Sequence, residues 1–430
     1  MRKFLLCAFL LPFVAKAQTY TSYFTGNTND TIASPQGGIC LMGGATENDE
    51  AMKWFLQKAN GGDILVLRAS GSDGYNAYLY SQLGVPVNSV ETIVCNSVAA
   101  STETYLQDKI AKAEGIWFAG GDQWNYISYW RNTKIDSLIN VAILSRNIVI
   151  GGTSAGMAIM GKYYFSAQNG SVTSATAMMN PYDNLVQVSN QTFLKNNILN
   201  NTITDTHFDN PDRKGRIMTF IARALKDNNV PLKGIACDEY TSVCIEPNGI
   251  AKVYGDFPTE DDNAYFIQPN CELANFVPET CIANSSLTFN YNGKAVKVYK
   301  VKGTSTGANT FNLQDWKTGS GGAWETWSVN SGVFAEASSV VINCSPASLA
   351  NHSIENSIWV YPNPSSTFIN IETDQLIESV SILNSIGQIV LRRKPSDFKT
   401  KLDIRNLQRG IYQVKIVTNA GSMQQAITVN

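Results

Sequence analysis

From residue 37 onward the chain alternates short, nearly all-apolar runs with longer amphipathic ones. Residues 39–42 (Ile-Cys-Leu-Met) read as a strand that stops at Gly43-Gly44, and a helical pattern follows over 50–56. Residues 63–67 form a second apolar run, followed by a polar loop and a helix expected over about 77–83. A third run lies at 90–94, an amphipathic helix at 105–113, a fourth run at 115–119, and a fifth at 147–150. Strands that are apolar at every position are buried on both faces, which calls for a mostly parallel sheet with helices on either side. Ligands of such sheets bind at the strands' C-terminal ends.

The fifth run ends in Gly152-Thr153-Ser154-Ala155-Gly156. This is the G-x-S-x-G pattern of a nucleophile elbow, a sharp strand-to-helix turn that lifts a serine hydroxyl above the sheet edge. The flanking glycines leave room for that turn. The Ala155 amide, opening the next helix, is a candidate donor to a developing oxyanion. Gly120-Gly121-Asp122-Gln123, at the end of the fourth run, offers exposed amides for the second half of such a hole. Trp124, Tyr126, Tyr129 and Trp130 follow at helical spacing and are expected to pack a helix. Gly43-Gly44 lacks both G-x-G-x-x-G and a lysine, so it is read as a plain turn.

A serine nucleophile needs a base, usually imidazole. The chain has two histidines, and His352 lies in a Ser/Asn-rich stretch near the last domain. His207, in Asp205-Thr206-His207-Phe208, is therefore the candidate. Glu239 or Asp238 at the end of the 234–238 run would orient it as the third member of a triad does, with Asp205 a local rival. Arg213 and Arg216 after the histidine suit a carboxylate by their planar guanidinium groups.

At 430 residues, two or more domains are expected. Hydrophobic content of 44% supports a core, and charged residues at 16% leave a surface of Asn, Ser, Thr, Gln and Tyr, which suits export. A net charge of −2 without a basic run argues against a nucleic-acid partner. Residues 1–17 have the basic, apolar and small-residue parts of a secretory signal peptide, and their apolar run is too short to span a bilayer. Of the seven later cysteines, Cys271 and Cys281 bracket a short loop and are candidates to pair, whereas Cys40 and Cys95 read as small buried hydrophobes. No spacing resembles a zinc site, so no metal is expected.

Taken together, Gly120-Gly121-Asp122-Gln123, Gly152-Thr153-Ser154-Ala155-Gly156, Asp205-Thr206-His207-Phe208 and Cys237-Asp238-Glu239 resemble the cyanophycinase-like serine peptidases, kin of the aspartyl dipeptidases. The likeness runs from about residue 37 to about 255. It implies a flavodoxin-like fold, akin to class I glutamine amidotransferases. It also implies a Ser154-His207-Glu239 triad, an oxyanion hole from the Gly121 and Ala155 amides, and contacts from Gln123, Arg213 and Arg216 to an aspartyl carboxylate. No cofactor or metal is implied. Family members hydrolyse peptide or isopeptide bonds beside aspartate, which in cyanophycinases proper belong to a β-linked aspartyl-arginine polymer. This chain has Thr206 where those have glutamine, and Pro211 in place of the first of three arginines.

Residues 256–355 are rich in Thr, Asn, Gly and Ser with short alternating strands, a β-rich extension in which Trp316, Trp324 and Trp327 are expected to cover a thin core. The last segment, 356–430, has many short alternating strands separated by turn residues, which indicates a small β-sandwich. Its Tyr361-Pro362-Asn363-Pro364 start and Gly410-Ile411-Tyr412 strand resemble the C-terminal sorting domain of type IX secretion substrates. The chain is therefore expected as signal peptide 1–17, peptidase domain 18–255, extension 256–355 and sorting domain 356–430. The expected activity is that of a secreted or surface-held serine peptidase. Its expected partners are an aspartyl-containing peptide, the secretion machinery and a second copy in a homodimer. The contrasting expectation is a catalytically inactive, surface-displayed binding protein on the same fold, which would take no serine-directed label.

Overall fold

A computed structural model describes residues 19–344, 358–384, 388–418 and 421–430. The expected signal peptide and His352 lie outside the described residues.

The strands Gly38–Met42, Asp63–Arg68, Ser89–Cys95, Gly115–Phe118 and Val149–Thr153 pair in parallel. Their side chains alternate between two cores. Ile39 and Leu41 join Leu65, Leu67, Ile116 and Ile150 on one face, beneath the helices Thr104–Lys112, Gln123–Trp130 and Lys134–Arg146. Cys40 and Met42 join Val66, Trp117 and Val149 on the other, beneath the helix Asp49–Lys58. Burial on both faces is what the unbroken apolar runs encode. Asn48 caps that last helix, its side chain accepting from the Ala51 amide at 3.1 Å. The helix expected over 77–83 is a π-helical turn, Tyr78–Gln82.

The sheet is mixed rather than mostly parallel. Tyr20–Gly26 adds antiparallel at one edge, and Ser242–Ile245, Ile250–Tyr254, Asn309–Asn312 and Gly319–Ser320 add antiparallel at the other, giving ten strands. Ser242–Ile245 and Ile250–Tyr254 are joined by the tight turn at 246–249, and a short turn can join only antiparallel neighbours; Asn309–Asn312 returns to this edge after the chain has passed through the second sheet.

A second, six-stranded sheet runs Val333–Ser338, Gly322–Asn330, Val296–Lys302, Asn263–Pro269, Lys233–Cys237 and Thr202–Asp205. It is antiparallel except where Lys233–Cys237 meets Thr202–Asp205. One of its faces packs on the first sheet through Ile235, Cys237, Phe266 and Tyr299. The other is covered by the helix Lys214–Asn228 through Ile217, Phe220 and Ile221. The extension thus supplies strands to both sheets. Trp316 and Trp327 are buried and Trp324 packs on Tyr299 and Phe311.

Cys271 is bonded to Cys344, not to Cys281. The 339–344 segment is drawn alongside by Asn343, whose amide donates to Glu272, and by Lys297, which donates to Ser339 and Val340. Cys281 is buried in the second core with Leu287 and Phe289. The last segment forms its own six-stranded antiparallel sheet around an Ile/Val core that includes Ile369, Ile371, Val380, Ile382, Val414 and Ile416.

Candidate active site

The strand Val149–Thr153 lies between Gly38–Met42 and Gly115–Phe118, so three parallel strands end together. Ser154 follows with φ 52° and ψ −117°, and Ala155–Ala158 begins a short helix. A positive φ at a non-glycine residue is costly and persists only where surrounding structure enforces it. Here the enforcement is steric and hydrogen-bonded. A Cβ on Gly152 would sit 2.6 Å from the Gly156 backbone, and one on Gly156 would sit 2.1 Å from the Phe118 carbonyl oxygen. The Ser154 amide donates to Met42 O at 3.1 Å.

His207 and Glu239 reach the serine from the second sheet. His207 follows Thr202–Asp205 and Glu239 follows Lys233–Cys237, and these two strands are the parallel pair of that sheet. His207 Nε2 is 2.9 Å from Ser154 Oγ, and His207 Nδ1 is 2.5 Å from Glu239 Oε1. With Nδ1–H donating to the carboxylate, Nε2 is left with a lone pair facing the hydroxyl, the tautomer a general base requires. The His207 and Glu239 side chains are 24% and 20% exposed, so the site is open to an incoming group. Of the three acids considered for this position, Glu239 is the one at the imidazole. Asp238 is buried and accepts from Asn263 and Tyr265. Burial, reinforced by nearby Asp209, pushes the Asp238 carboxyl up to about 7.

Gly43-Gly44 is more than a turn. The His207 amide donates to Gly43 O at 2.9 Å, and the Tyr240 amide donates to Gly44 O at 3.3 Å. A Cβ on Gly44 would fall 2.4 Å from the His207 ring. The first sheet thereby offers a bare backbone surface on which the imidazole lies. The only sequence signal for this was a glycine pair closing a strand next to the elbow strand. Asp209 was also missed: its Oδ1 accepts from the Glu239 amide at 3.2 Å and so fixes the start of that turn.

Gly120-Gly121 lies beside the serine. A Cβ on Gly120 would be 3.6 Å from Ser154 Cβ, and Gly121 has φ +148°, a conformation open to glycine. The loop is held from behind by Tyr126, whose hydroxyl donates to Ala119 O at 2.7 Å. Asp122 caps the next helix by accepting from Trp124 N. Tyr126 and Trp130 are buried in that helix, as packing residues are expected to be. Gln123 is half-buried and donates to Phe165 O at 3.2 Å.

The two arginines separate. Arg213 is partly exposed at 18% and donates to Thr206 O at 2.8 Å, next to the histidine. Burial and neighbouring Arg216 push its pKa down. Arg216, expected at a substrate carboxylate, is instead 3% exposed and forks onto Asp205 through Nε at 2.9 Å and a second guanidinium nitrogen. Its remaining nitrogen faces Ser171 Oγ and Val172 O. The physical reason is that Asp205, itself buried two residues before His207, would otherwise be an unpaired buried charge.

Among the described residues no group of His, Cys, Asp and Glu is placed to hold a metal, and no helix is long and apolar enough to cross a membrane. A cleft of about 270 Å³ near Tyr105 and Lys109 is lined by none of Ser154, His207 or Glu239.

These features define a mixed α/β protein with a serine at a strand-to-helix elbow and an imidazole–carboxylate pair in line with it. Residues 41–252 match peptidase family S51, and residues 359–430 match the secretion system C-terminal sorting domain. The chain thus carries a domain that matches peptidase family S51, followed by a C-terminal secretion sorting domain. It is similar to the cyanophycinase of Synechococcus elongatus, 25% identical over 228 residues, which cover 51% of this chain and 66% of that protein. The match is therefore just under two thirds of that relative's length. The cyanophycinase of Trichormus variabilis is 24% identical over 235 residues, covering 52% of this chain and 73% of that one. Among solved structures, a peptidase from an acI-B1 Actinobacterium aligns with a TM-score of 0.40 at 14% identity, covering 54% of this chain and 91% of that one.

Proposed function

We propose that the protein is a serine-type peptidase that cleaves peptide or isopeptide bonds next to aspartyl residues through an acyl-enzyme on Ser154. The observation that carries this reading is the unbroken line from Ser154 Oγ to His207 Nε2 at 2.9 Å and from His207 Nδ1 to Glu239 at 2.5 Å, at a serine held in elbow geometry. His207 takes the hydroxyl proton as Ser154 attacks the scissile carbonyl, then returns it to the leaving amine. Glu239 holds the imidazole's tautomer and offsets its positive charge. The Gly121 and Ala155 amides receive the oxyanion. Water then attacks the ester with His207 again as base.

Gln123 and Arg213 are the proposed contacts for the aspartyl carboxylate. Arg216 acts through Asp205, holding the end of the strand that delivers His207. The aspartyl preference rests on the likeness to cyanophycinases. The test is a screen of α- and β-aspartyl dipeptides and cyanophycin with the wild type and Ser154→Ala. Turnover of an aspartyl substrate that falls about 10³-fold or more in the variant, with unchanged folding, supports the reading. Equal turnover in both removes it.

A further inference from the structure

Cys40 and Cys244 face each other across two neighbouring antiparallel strands, Gly38–Met42 and Ser242–Ile245, in direct register. Their sulfur atoms are 3.7 Å apart, both side chains are fully buried, and both point into the core beneath the helix Asp49–Lys58. Directly opposed residues of an antiparallel pair have Cα atoms about 4.5–5.5 Å apart. That lies inside the range of about 4.4–6.8 Å that disulfides span. Closing the sulfurs to a bond of about 2.05 Å therefore needs side-chain rotation and no strand movement.

The surroundings of the pair give it a consequence. Two residues beyond Cys40, Met42 O accepts from the Ser154 amide, and Gly43 O accepts from the His207 amide. Two residues before Cys244, Ser242 opens the strand that follows Glu239 and Tyr240, and Thr241 O accepts from the Gly43 amide. The two strands joined at this point thus hold the backbone beneath all three proposed catalytic side chains. The chain also meets an oxidising compartment, because it carries a sorting domain and a Cys271–Cys344 disulfide.

We propose that Cys40 and Cys244 are a redox modification site, forming a cross-strand disulfide on export that ties the Gly43-Gly44 bed of His207 to the strand after Glu239. The oxidant is a disulfide of the exporting compartment, protein or small molecule. One cysteine thiolate attacks it, giving a mixed disulfide and releasing one thiol. The second thiolate displaces the other sulfur of the oxidant, so two electrons and two protons pass from the cysteine pair to the oxidant, which ends as two thiols. Exchange precedes closure of the sheet, since both sulfurs are inaccessible afterwards. Burial also pushes the Cys244 thiol well up, which disfavours its thiolate once the chain has folded.

The experiment is a thiol map of the full chain, refolded in oxidised and reduced glutathione, then denatured and alkylated with iodoacetamide without reductant. The digest is expected to contain a peptide linking Cys40 to Cys244 alongside the Cys271–Cys344 peptide, with Cys95, Cys237 and Cys281 alkylated, and Cys7 as well where residues 1–17 are retained. In Cys244→Ser, Cys40 is expected to become alkylated while the Cys271–Cys344 link persists. Alkylation of both Cys40 and Cys244 in the wild type, or linkage of either to another cysteine, overturns the proposal. The map is read on denatured protein, so its outcome is independent of whether Ser154 is a nucleophile.

Discussion

The serine side and the histidine side of the site are built in different ways. Ser154 is held by its own neighbours in the chain: Gly152 and Gly156 contact each other and the adjacent strand so closely that no side chain fits. His207 has no such local device. It depends on Gly43-Gly44 from the first sheet, on Glu239 from the next strand of its own sheet, and on the Asp205–Arg216 pair behind it. One half is a local motif, and the other is a meeting of segments as far apart in the chain as Gly43 and Glu239. The lesson is that the histidine side should fail by substitutions far from the chemistry, while the elbow answers to its own pentapeptide and to the backbone of the two strands beside it, at Met42 O and Phe118 O.

The largest effect that sharpens this contrast comes from Glu239→Gln. The amide can donate to Nδ1 and hold the wrong tautomer, so kcat should fall by at least about 10²-fold with Ser154 and the elbow unchanged. Steady-state kinetics beside a thermal melt checks this, and a full kcat with Gln at 239 would remove Glu239 from the mechanism. Next comes Asp205→Asn, which leaves the Arg216 charge buried without its partner. Breaking a buried pair costs about 3–5 kcal/mol, read from chemical denaturation. A loss below about 1 kcal/mol would show that the pair does not hold the histidine side.

The smallest effect concerns pH. Burial raises the Asp238 carboxyl to about 7 in the fold, above its unfolded value of 3.8. Between these values the folded chain keeps a proton that the unfolded chain has lost, so this group's contribution to stability falls as pH rises from about 4 to about 7 and is flat above. Asp238→Asn keeps an oxygen for Asn263 and Tyr265 and carries no charge, so it should lose this slope. Denaturation midpoints at pH 5 and pH 8 compare the two. Parallel changes in wild type and variant would assign the pH dependence elsewhere.

The same contrast explains what the chain revealed before its fold was known. The parallel strands were legible because burial on both faces demands apolar residues at every position, as at 39–42 and 115–118. The elbow was legible because its sterics are local. The antiparallel additions to the first sheet were not, because Ser242–Ile245 and Ile250–Tyr254 look locally like any buried strands, and pairing direction is set by the turn between them. Arg216 was misread for a related reason. A guanidinium suits a substrate carboxylate or a protein one equally well, and only the fold brings Asp205 beneath it. The Cys271–Cys344 pairing joins residues 73 apart and left no mark in local spacing.

The central claim is that Ser154 is a nucleophile activated by His207. Intact-mass analysis after treatment with a serine-directed fluorophosphonate tests it most directly. The account predicts a single adduct, mapped to Ser154, in the wild type and none in His207→Ala. An unlabelled wild type, or an adduct that persists in folded His207→Ala at the wild-type rate, would contradict it.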